Sequence, residues 1–452
     1  MTKLAELEPT RGLTRIRVEG FKSIHEMQTL DLAPVTVLAG PNSAGKSSMM
    51  QPLLLLKQTL EAPFDPGALL LTGENVKFTS ADQMLFRCPG EECHREFAIE
   101  LGARRFSWLR LAYICPPGEG VLLAEMRFRE DAEGPEHCLR PDMSSDETRA
   151  ALPKHVVSVF EKFFKRKVGK SNKPLRWGVA PKRFYLAVTL ENNRSSLAGL
   201  GGDLDVLSLA ESFFRDIAGI LHLPGLRGNP ARSYPTTAVE SDYPGTFERY
   251  VASVINHWQR TGDPRIADVG ADLKTLGLTW KVEARKIDDT QVELRVGRLP
   301  GPREDDAQDM VNIADVGFGV SQTLPVLVAL RTAAPGRIVY LEQPEIHLHP
   351  NAQSALAQVI AEAAKRGVIV VLETHSAILL RSIQTLVALG DLDPQEVNLN
   401  WFTRDPLTGA TRITRATPDA HGAYGNWPED FDDVALRVER DYLDAIEKRL
   451  SA

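Results

Sequence analysis

Residues 40–47 read GPNSAGKS, and the fold of the chain follows from where this octapeptide sits. It satisfies G-x-x-x-x-G-K-[ST] at every fixed position. Gly40 and Gly45 permit the tight turn that carries Pro41, Asn42, Ser43 and Ala44 around a phosphate chain, with backbone N–H groups facing its oxygens. Lys46 is spaced to reach the β- and γ-phosphates, and the Ser47 hydroxyl to hold Mg²⁺. The flanks agree. VTVLA (35–39) is a short apolar strand, and after Gly45 the residues Met49, Met50, Leu53, Leu54 and Lys57 recur at helical spacing to about Leu60. Ser48 closes the loop into that helix, whose N-terminus favours anions. ATP with Mg²⁺ is the expected ligand pair.

The second strand of such a site is far away in sequence. RIVYLEQPE (337–345) is the best candidate, an apolar strand ending in acids, and its Glu342 stands 296 residues beyond Lys46. In a compact P-loop domain the two strands are neighbours, so the domain is split by a large insertion. Within that insertion, 95–127 alternates as a meander of strands, helices are expected at 147–168 and 245–260, and 279–296 reads as a hairpin around Asp288–Asp289. From about 310 to 382 the pattern becomes helix (321–332), strand (337–341), helix (350–366) and strand (368–372), which predicts a mostly parallel sheet. The expected fold class is α/β: a split P-loop ATPase head of mixed sheet flanked by helices, with a β-rich lobe and an inserted helical region. Its expected parts are 1–87 and 301–435 for the head, 88–300 for the lobe and insertion, and 436–452 for a C-terminal helix. No heptad pattern is sustained, so no long coiled coil is expected.

Four further features cluster around this frame: DVGFGVSQTLP (315–325), IVYLEQPEIHLHP (338–350), VIVVLETHS (368–376) and the early FKSI (21–24). With GPNSAGKS they resemble the ABC-type ATPase heads of the SMC, RecF and OLD group. The likeness is strongest to bacterial stand-alone AAA-annotated ATPases that carry EQPE-x-HLHP and a late W-P-x-x-F-D element, here NWPEDFDD (426–433). LPGLRGNPARSYP (223–235) resembles their L-R-x-x-P segment. The resemblance covers about 12–87 and 220–435 and is weak over 88–220. It implies that Glu342 is the Mg²⁺-organising acid and Gln343 stands where many such ATPases have a water-orienting Glu. It implies that His375 is the switch histidine, that HLHP (347–350) crosses a dimer interface, and that Gln83 is a candidate for the glutamine loop, near the metal. It also implies that Gly317, Gly319, Ser321 and Gln322 belong to a signature turn that caps the γ-phosphate bound by the other protomer.

Gln343 departs from the common pattern. An amide orients a water but cannot accept its proton at neutral pH, so general-base help must come from elsewhere, with Glu345, two residues on, the obvious substitute. Slow hydrolysis and a persistent ATP-bound state are therefore expected. A signature turn acting in trans means two heads related by two-fold symmetry, with two equivalent sites.

Other signals are weaker. Cys88, Cys93, His94, Cys115, His137 and Cys138 are spaced irregularly for zinc. Residues 162–183 hold nine Lys/Arg and no acid, interleaved with Phe163, Phe164 and Trp177, which makes them the best nucleic-acid or acidic-partner candidate. Asp391-Leu392-Asp393 reads as a turn rather than a nuclease D-x-D.

Composition sets the outer bounds. The 452 residues are 43% hydrophobic and 25% charged, ordinary for a globular chain and unlike collagenous or disordered ones. The net charge of −7 divides into +2 over 1–300 and −9 over 301–452, so a chain-wide affinity for nucleic acid is not indicated. Four cysteines make no disulfide scaffold. The longest apolar runs, such as Pro52–Leu56 and Val368–Leu372, fall far short of the ~20 residues of a membrane helix, and 1–20 lacks the apolar core of a secretion signal, so a cytoplasmic protein without membrane contact is expected. The leading expectation is an ATPase whose nucleotide state controls head pairing and a separate effector, in bacterial defence against phage. The alternatives are a non-hydrolysing ATP-binding scaffold that holds a toxin, and a RecF-like DNA-repair ATPase that binds DNA through the basic stretch.

Overall fold

The computed structural model describes residues 12–88, 94–103, 107–131, 133–168, 176–192, 195–196, 208–239, 242–299, 301, 309–425, 440–444 and 446. NWPEDFDD, Cys93 and residues 169–175 of the basic stretch lie outside them.

The chain begins in the lobe. Strands β1 (Leu13–Glu19) and β2 (Gln28–Asp31) precede the P-loop strand β3 (Val35–Ala39) yet pair with β4 (Glu96–Ala103), β5 (Trp108–Ile114), β6 (Leu122–Arg129) and β7 (His137–Leu139). The result is one antiparallel sheet in the order β2-β1-β4-β5-β6-β7, the meander read from 95–127 extended at both edges. Helix α1 (Lys46–Glu61) follows the P-loop, and α2 (Ser145–Ala151) and α3 (Lys154–Val168) follow the meander. The expected single helix over 147–168 is thus two, because Leu152 precedes Pro153 and takes an extended conformation (ψ 150°). A second small sheet, β10-β9-β8, comprises β8 (Arg176–Lys182), β9 (Tyr185–Asn192) and β10 (Ser195–Ser196).

The chain then crosses α4 (Ser208–Ala218) and enters the central sheet through β11 (Leu221–Leu223). After β12 (Tyr234–Pro235), α5 (Val251–Thr261) and α6 (Arg265–Thr275), the hairpin of β13 (Val282–Lys286) and β14 (Gln291–Gly297) forms as expected, and β15 (Met310–Asn312) adds to β14. Then come α7 (Phe318–Thr332), β16 (Ile338–Glu342), α8 (Pro350–Lys365), β17 (Ile369–Glu373), α9 (Ala377–Ala388), β18 (Val397–Arg404) and β19 (Thr411–Ala416). The central order is β11-β16-β17-β3-β18-β19, parallel throughout except for the last pair. The P-loop strand and the EQPE strand therefore share a sheet with the ETHS strand between them, despite the 296 residues separating Lys46 and Glu342.

Successive side chains of a strand face opposite sides, and here both sides are buried. Ile338, Tyr340, Ile369, Val371 and Leu38 join the core shared with α1 and the lobe. Val339, Leu341, Val370, Leu372, Val35 and Val37 join a second core under α5, α7, α8 and α9. Helix α1 is wedged between sheets, with Met49, Met50, Leu53, Leu54, Leu55 and Leu56 essentially inaccessible. This sandwich fixes the C-terminal ends of β3, β16 and β17 side by side. Among the described residues no helix is long and apolar enough to cross a membrane.

Candidate functional site: a P-loop cavity at the ends of three parallel strands

The loop after β3 runs directly into α1. Gly40 (φ 142°) and Gly45 (φ 100°) both occupy left-handed backbone, and a Cβ at Gly45 would collide with the Thr411 side chain while one at Gly40 would meet the Phe402 carbonyl. Only glycine fits either position. Lys46 Nζ donates to the carbonyls of Gly40 (3.0 Å) and Pro41 (2.9 Å), which holds the ammonium over its own loop. Burial holds that ammonium below the usual lysine range, with the Glu373 charge opposing. The loop lines a cavity of about 420 Å³ that includes Asn42, Ser43, Ala44, Gly45, Lys46, Ser47 and Ser48. Its other walls come from Lys22, Ser23, Gln51, Gln343, Glu373, His375 and Arg404.

Two carboxylates sit behind the loop. Glu342 and Glu373 end adjacent parallel strands in direct register. Glu373 accepts from Ser47 Oγ (3.1 Å) and from the Tyr340 hydroxyl (2.5 Å). Burial raises its carboxyl to about 7, with the neighbouring Glu342 charge adding to the shift and the Tyr340 and Ser47 hydrogen bonds opposing it. Glu342 is committed elsewhere: Oε1 lies 3.1 Å from His222 Nε2 and Oε2 accepts from the Gly225 N–H (3.1 Å). Burial pushes its carboxyl up, but the His222 and Gly225 hydrogen bonds outweigh burial and leave it below the ordinary value. His222 is itself buried, stacks on Tyr340 (5.3 Å between centroids) and pairs through Nδ1 with Asn75 Oδ1 (3.1 Å).

The acid in contact with Ser47 is therefore Glu373, whereas the sequence pointed to Glu342. The register of β16 and β17 explains the difference: it sets both acids at one level, and β17 is the strand next to β3. The donor set suits a hard cation such as Mg²⁺, because a hydroxyl and two carboxylates offer oxygen ligands and a divalent charge relieves the repulsion between paired acids.

The ETHS turn is clamped from the EQPE side. Glu345 is buried, and its Oε1 accepts from Thr374 Oγ1 (2.7 Å) and from the His375 N–H (3.0 Å). Gln343 (φ 45°) donates its N–H to the Glu373 carbonyl (2.9 Å), and Gln353 accepts from Ser376 Oγ (2.7 Å). Glu345 does not line the cavity, so the carboxylate two residues after Gln343 holds backbone rather than facing a reacting water. His375 does line it, and burial, followed by the Lys46 charge, lowers the pKa of its imidazole.

Other expected site residues lie elsewhere. Gln83 is exposed in a short 3₁₀ turn, donates to Thr79 Oγ1 (2.8 Å) and is absent from the cavity wall, so its sequence surroundings mislead. The strand that ends beside β16 is β11, and the turn after it, not Gln83, touches Glu342. Gly317 caps α7, Gly319 packs near Leu278, Ser321 Oγ donates to the Phe318 carbonyl (3.3 Å) and Gln322 Nε2 to the Gly228 carbonyl (3.1 Å). None of these four lines the cavity of its own chain. His347 (φ 69°) is exposed against Phe318, and His349 caps α8. Among the described residues no group of three His, Cys, Asp or Glu side chains converges for a metal. In the basic stretch, Trp177 is buried in the lobe core, and Arg183 donates to the carbonyls of Thr59, Leu60 and Ala62 at the end of α1. Neither is presented to a nucleic acid.

Sequence reasoning missed Glu373, His222, Tyr340, Lys22, Gln51 and Arg404. A signal for Glu373 was present, since an acid closes the apolar run VIVVLE just as one closes IVYLE. His222 left a fainter trace, a lone polar residue in LHL.

Residues 180–381 match the family model AAA_21, described as "AAA domain, putative AbiEii toxin, Type IV TA system". That span holds β11, α7, β16 and β17 but not the P-loop. No curated protein matches the chain in sequence. Similar solved structures include the SMC head domain from Thermotoga maritima, at 12% identity over 89% of this chain and 98% of that one, with a TM-score of 0.38. They also include the Smc head domain with an extended coiled coil bound to the C-terminal domain of ScpA from Pyrococcus furiosus, at 11% identity over 96% and 99%, with a TM-score of 0.45. The chain thus sets a P-loop at one end of a split, mostly parallel sheet, and its residues 180–381, which carry the second half of that sheet, are similar to the AAA domain of the AAA_21 model.

Proposed function

We propose that the chain binds Mg²⁺-ATP in the P-loop cavity and hydrolyses it slowly, and that two ATP-bound heads pair to gate a separate effector. The observation that carries this reading is the meeting of Lys46, Ser47, Glu373, Gln343 and His375 in one cavity. The N–H groups of Asn42 to Ser47 would hold the phosphates and Lys46 their charge. Ser47 with Glu373 and Glu342 would hold Mg²⁺, which when bound neutralises charge developing on the phosphates. Gln343 would orient water without accepting its proton, and Glu345 is spent on the His375 backbone. Slow turnover follows from that division of labour. Gly317, Gly319, Ser321 and Gln322, remote from their own cavity, would complete the site of a second copy. A cytoplasmic role in bacterial defence is part of this reading, alongside a family description that names a putative AbiEii toxin of a Type IV TA system.

Phosphate release by the full chain, with Lys46→Ala as control, tests this. Turnover below ~1 s⁻¹, abolished by Lys46→Ala, is expected, against a typical enzyme value of about 10 s⁻¹. Turnover at or above that typical value contradicts the slow cycle. Gln343 also favours a second reading, an ATP-binding scaffold without turnover, which would bind ATP through Lys46 and release no phosphate.

A further inference from the structure

A loop that aims N–H groups at a phosphate turns carbonyls the other way, and those carbonyls need donors. In GPNSAGKS, Lys46 serves the carbonyls of Gly40 and Pro41. Another belongs to Ala44, which sits between two left-handed residues, Ser43 (φ 60°) and Gly45 (φ 100°). Ser43 carries a Cβ, so its conformation is strained and persists only where the surroundings hold it. Gly45 has no side chain with which to cap α1, whose first N–H groups lack partners within the helix. The group that holds this segment comes from the far end of the chain.

Thr411 opens β19, paired with Arg404 of β18. It is buried, and its Oγ1 lies 2.9 Å from the Ala44 carbonyl and 2.8 Å from Ser23 Oγ. A hydroxyl has one proton and a carbonyl only accepts, so both contacts are satisfied when Thr411 donates to Ala44 and accepts from Ser23. The Thr411 N–H donates to the Ser23 carbonyl (2.6 Å), fixing the same pair through the backbone. Ser23 and Ala44 are buried as well, so the two bonds are shielded from water and each polarises the other. Ser23 belongs to the FKSI turn that leaves lobe strand β1. There the Lys22 N–H donates to the Met84 carbonyl (2.8 Å) and Lys22 Nζ to Gln51 Oε1 of α1 (3.0 Å). One hairpin thus brackets the loop: Phe402 of β18 presents its carbonyl at Gly40, and Thr411 its side chain at Gly45.

We propose that Thr411 is a positioning residue for nucleotide binding: its hydroxyl, oriented by Ser23, holds the Ala44 carbonyl away from the cavity. The Ala44 carbonyl and the Gly45 N–H belong to one planar trans peptide and point in opposite directions, so gripping the first aims the second. Thr411 touches no reacting atom and acts through the loop. Because Ser23 hangs from β1, the same two hydrogen bonds tie the loop's geometry to the lobe. The proposal rests on the nucleotide-binding reading for its effect on affinity, and on the loop geometry alone for its effect on the Ala44–Gly45 peptide.

The test uses the full-length chain carrying Thr411→Val, which keeps the shape and removes the hydroxyl, Thr411→Ser, which keeps the hydroxyl, Ser23→Ala, and the Thr411→Val/Ser23→Ala pair. Calorimetric titration with Mg²⁺-ATP is expected to show Kd raised about tenfold by Thr411→Val, about threefold by Ser23→Ala and less than about twofold by Thr411→Ser. The double variant is expected to bind no more weakly than Thr411→Val, because both changes break one chain of hydrogen bonds. Without nucleotide, chains labelled with ¹³C at the alanine carbonyl and ¹⁵N at glycine report the Ala44–Gly45 peptide directly, with Ala218–Gly219 as the fold control. Thr411→Val is expected to move the Ala44–Gly45 resonance and leave the control in place, and Thr411→Ser to return it close to the wild-type position. Wild-type affinity in Thr411→Val, Thr411→Ser as weak as Thr411→Val, or fully additive losses in the double variant overturns the proposal. If Thr411→Val does not fold, Ser23→Ala decides alone, and wild-type affinity in it overturns the proposal. A wild type that binds no ATP sinks the nucleotide reading instead. The Ala44–Gly45 resonance then decides the role of Thr411, which is overturned if Thr411→Val leaves it unmoved.

Discussion

The chemistry of the site comes down to which acid touches Ser47. Glu373 does, at 3.1 Å, while Glu342 is held by His222 and Gly225. Glu373→Gln is expected to lower Mg²⁺-dependent phosphate release at least tenfold, a rise of about 1.4 kcal/mol in the barrier, while ATP binding in EDTA changes by less than about twofold. Unchanged release would leave the metal role to Glu342 alone. Gly45 supplies a second check. Its φ of 100° and the proximity of the Thr411 side chain mean that Gly45→Ala strains the loop by roughly 1–3 kcal/mol, so a lowered unfolding midpoint and lost ATP binding are expected together. Retained binding would show that the loop tolerates a side chain there.

The elements differ in how openly the sequence declared them. β3, β16 and β17 were legible because all are five-residue, mainly apolar strands beside loops rich in chemistry. β18 was not. Its Asn398 and Asn400 are buried in the strand, where Asn400 donates to the Val37 carbonyl, and polar residues with local partners break the apolar pattern that reading depends on. β11 is three residues long and becomes recognisable only by pairing with β16. The Glu342–Glu373 pairing is a fact of register between strands, which one strand's sequence does not carry. Arg183, the last cation of the basic stretch, likewise finds its partners more than a hundred residues away, at the end of α1. Cations near a helix C-terminus stabilise its free carbonyls, and here three are served at once. Arg183→Ala should therefore lower stability by roughly 1–2 kcal/mol, read as a lower unfolding midpoint with ATP affinity little changed. A wild-type midpoint would mean that the α1 terminus needs no such cap.

At the scale of the molecule, the mostly parallel central sheet is interrupted in sequence by an antiparallel lobe. The chain's first two strands belong to the lobe sheet, its P-loop to the central sheet, and its remaining parallel strands return after residue 220. The sequence revealed the split, through the distance from Lys46 to Glu342, but not the mixing of early strands into the lobe. The exposed Phe318, which packs on His347 between Gly317 and Gly319, lies where a second chain would meet the first under the proposed pairing. Phe318→Asp is expected to abolish an ATP-dependent doubling of mass in solution while leaving ATP binding per chain unchanged. Doubling that persists in this variant would move the interface elsewhere. Every role proposed for the cavity requires that the GPNSAGKS loop bind nucleotide. Calorimetric titration of the full chain with Mg²⁺-ATP tests it most directly, with one ATP per chain for the wild type and no binding for Lys46→Ala predicted, and equal binding by both, or none by the wild type, contradicting it.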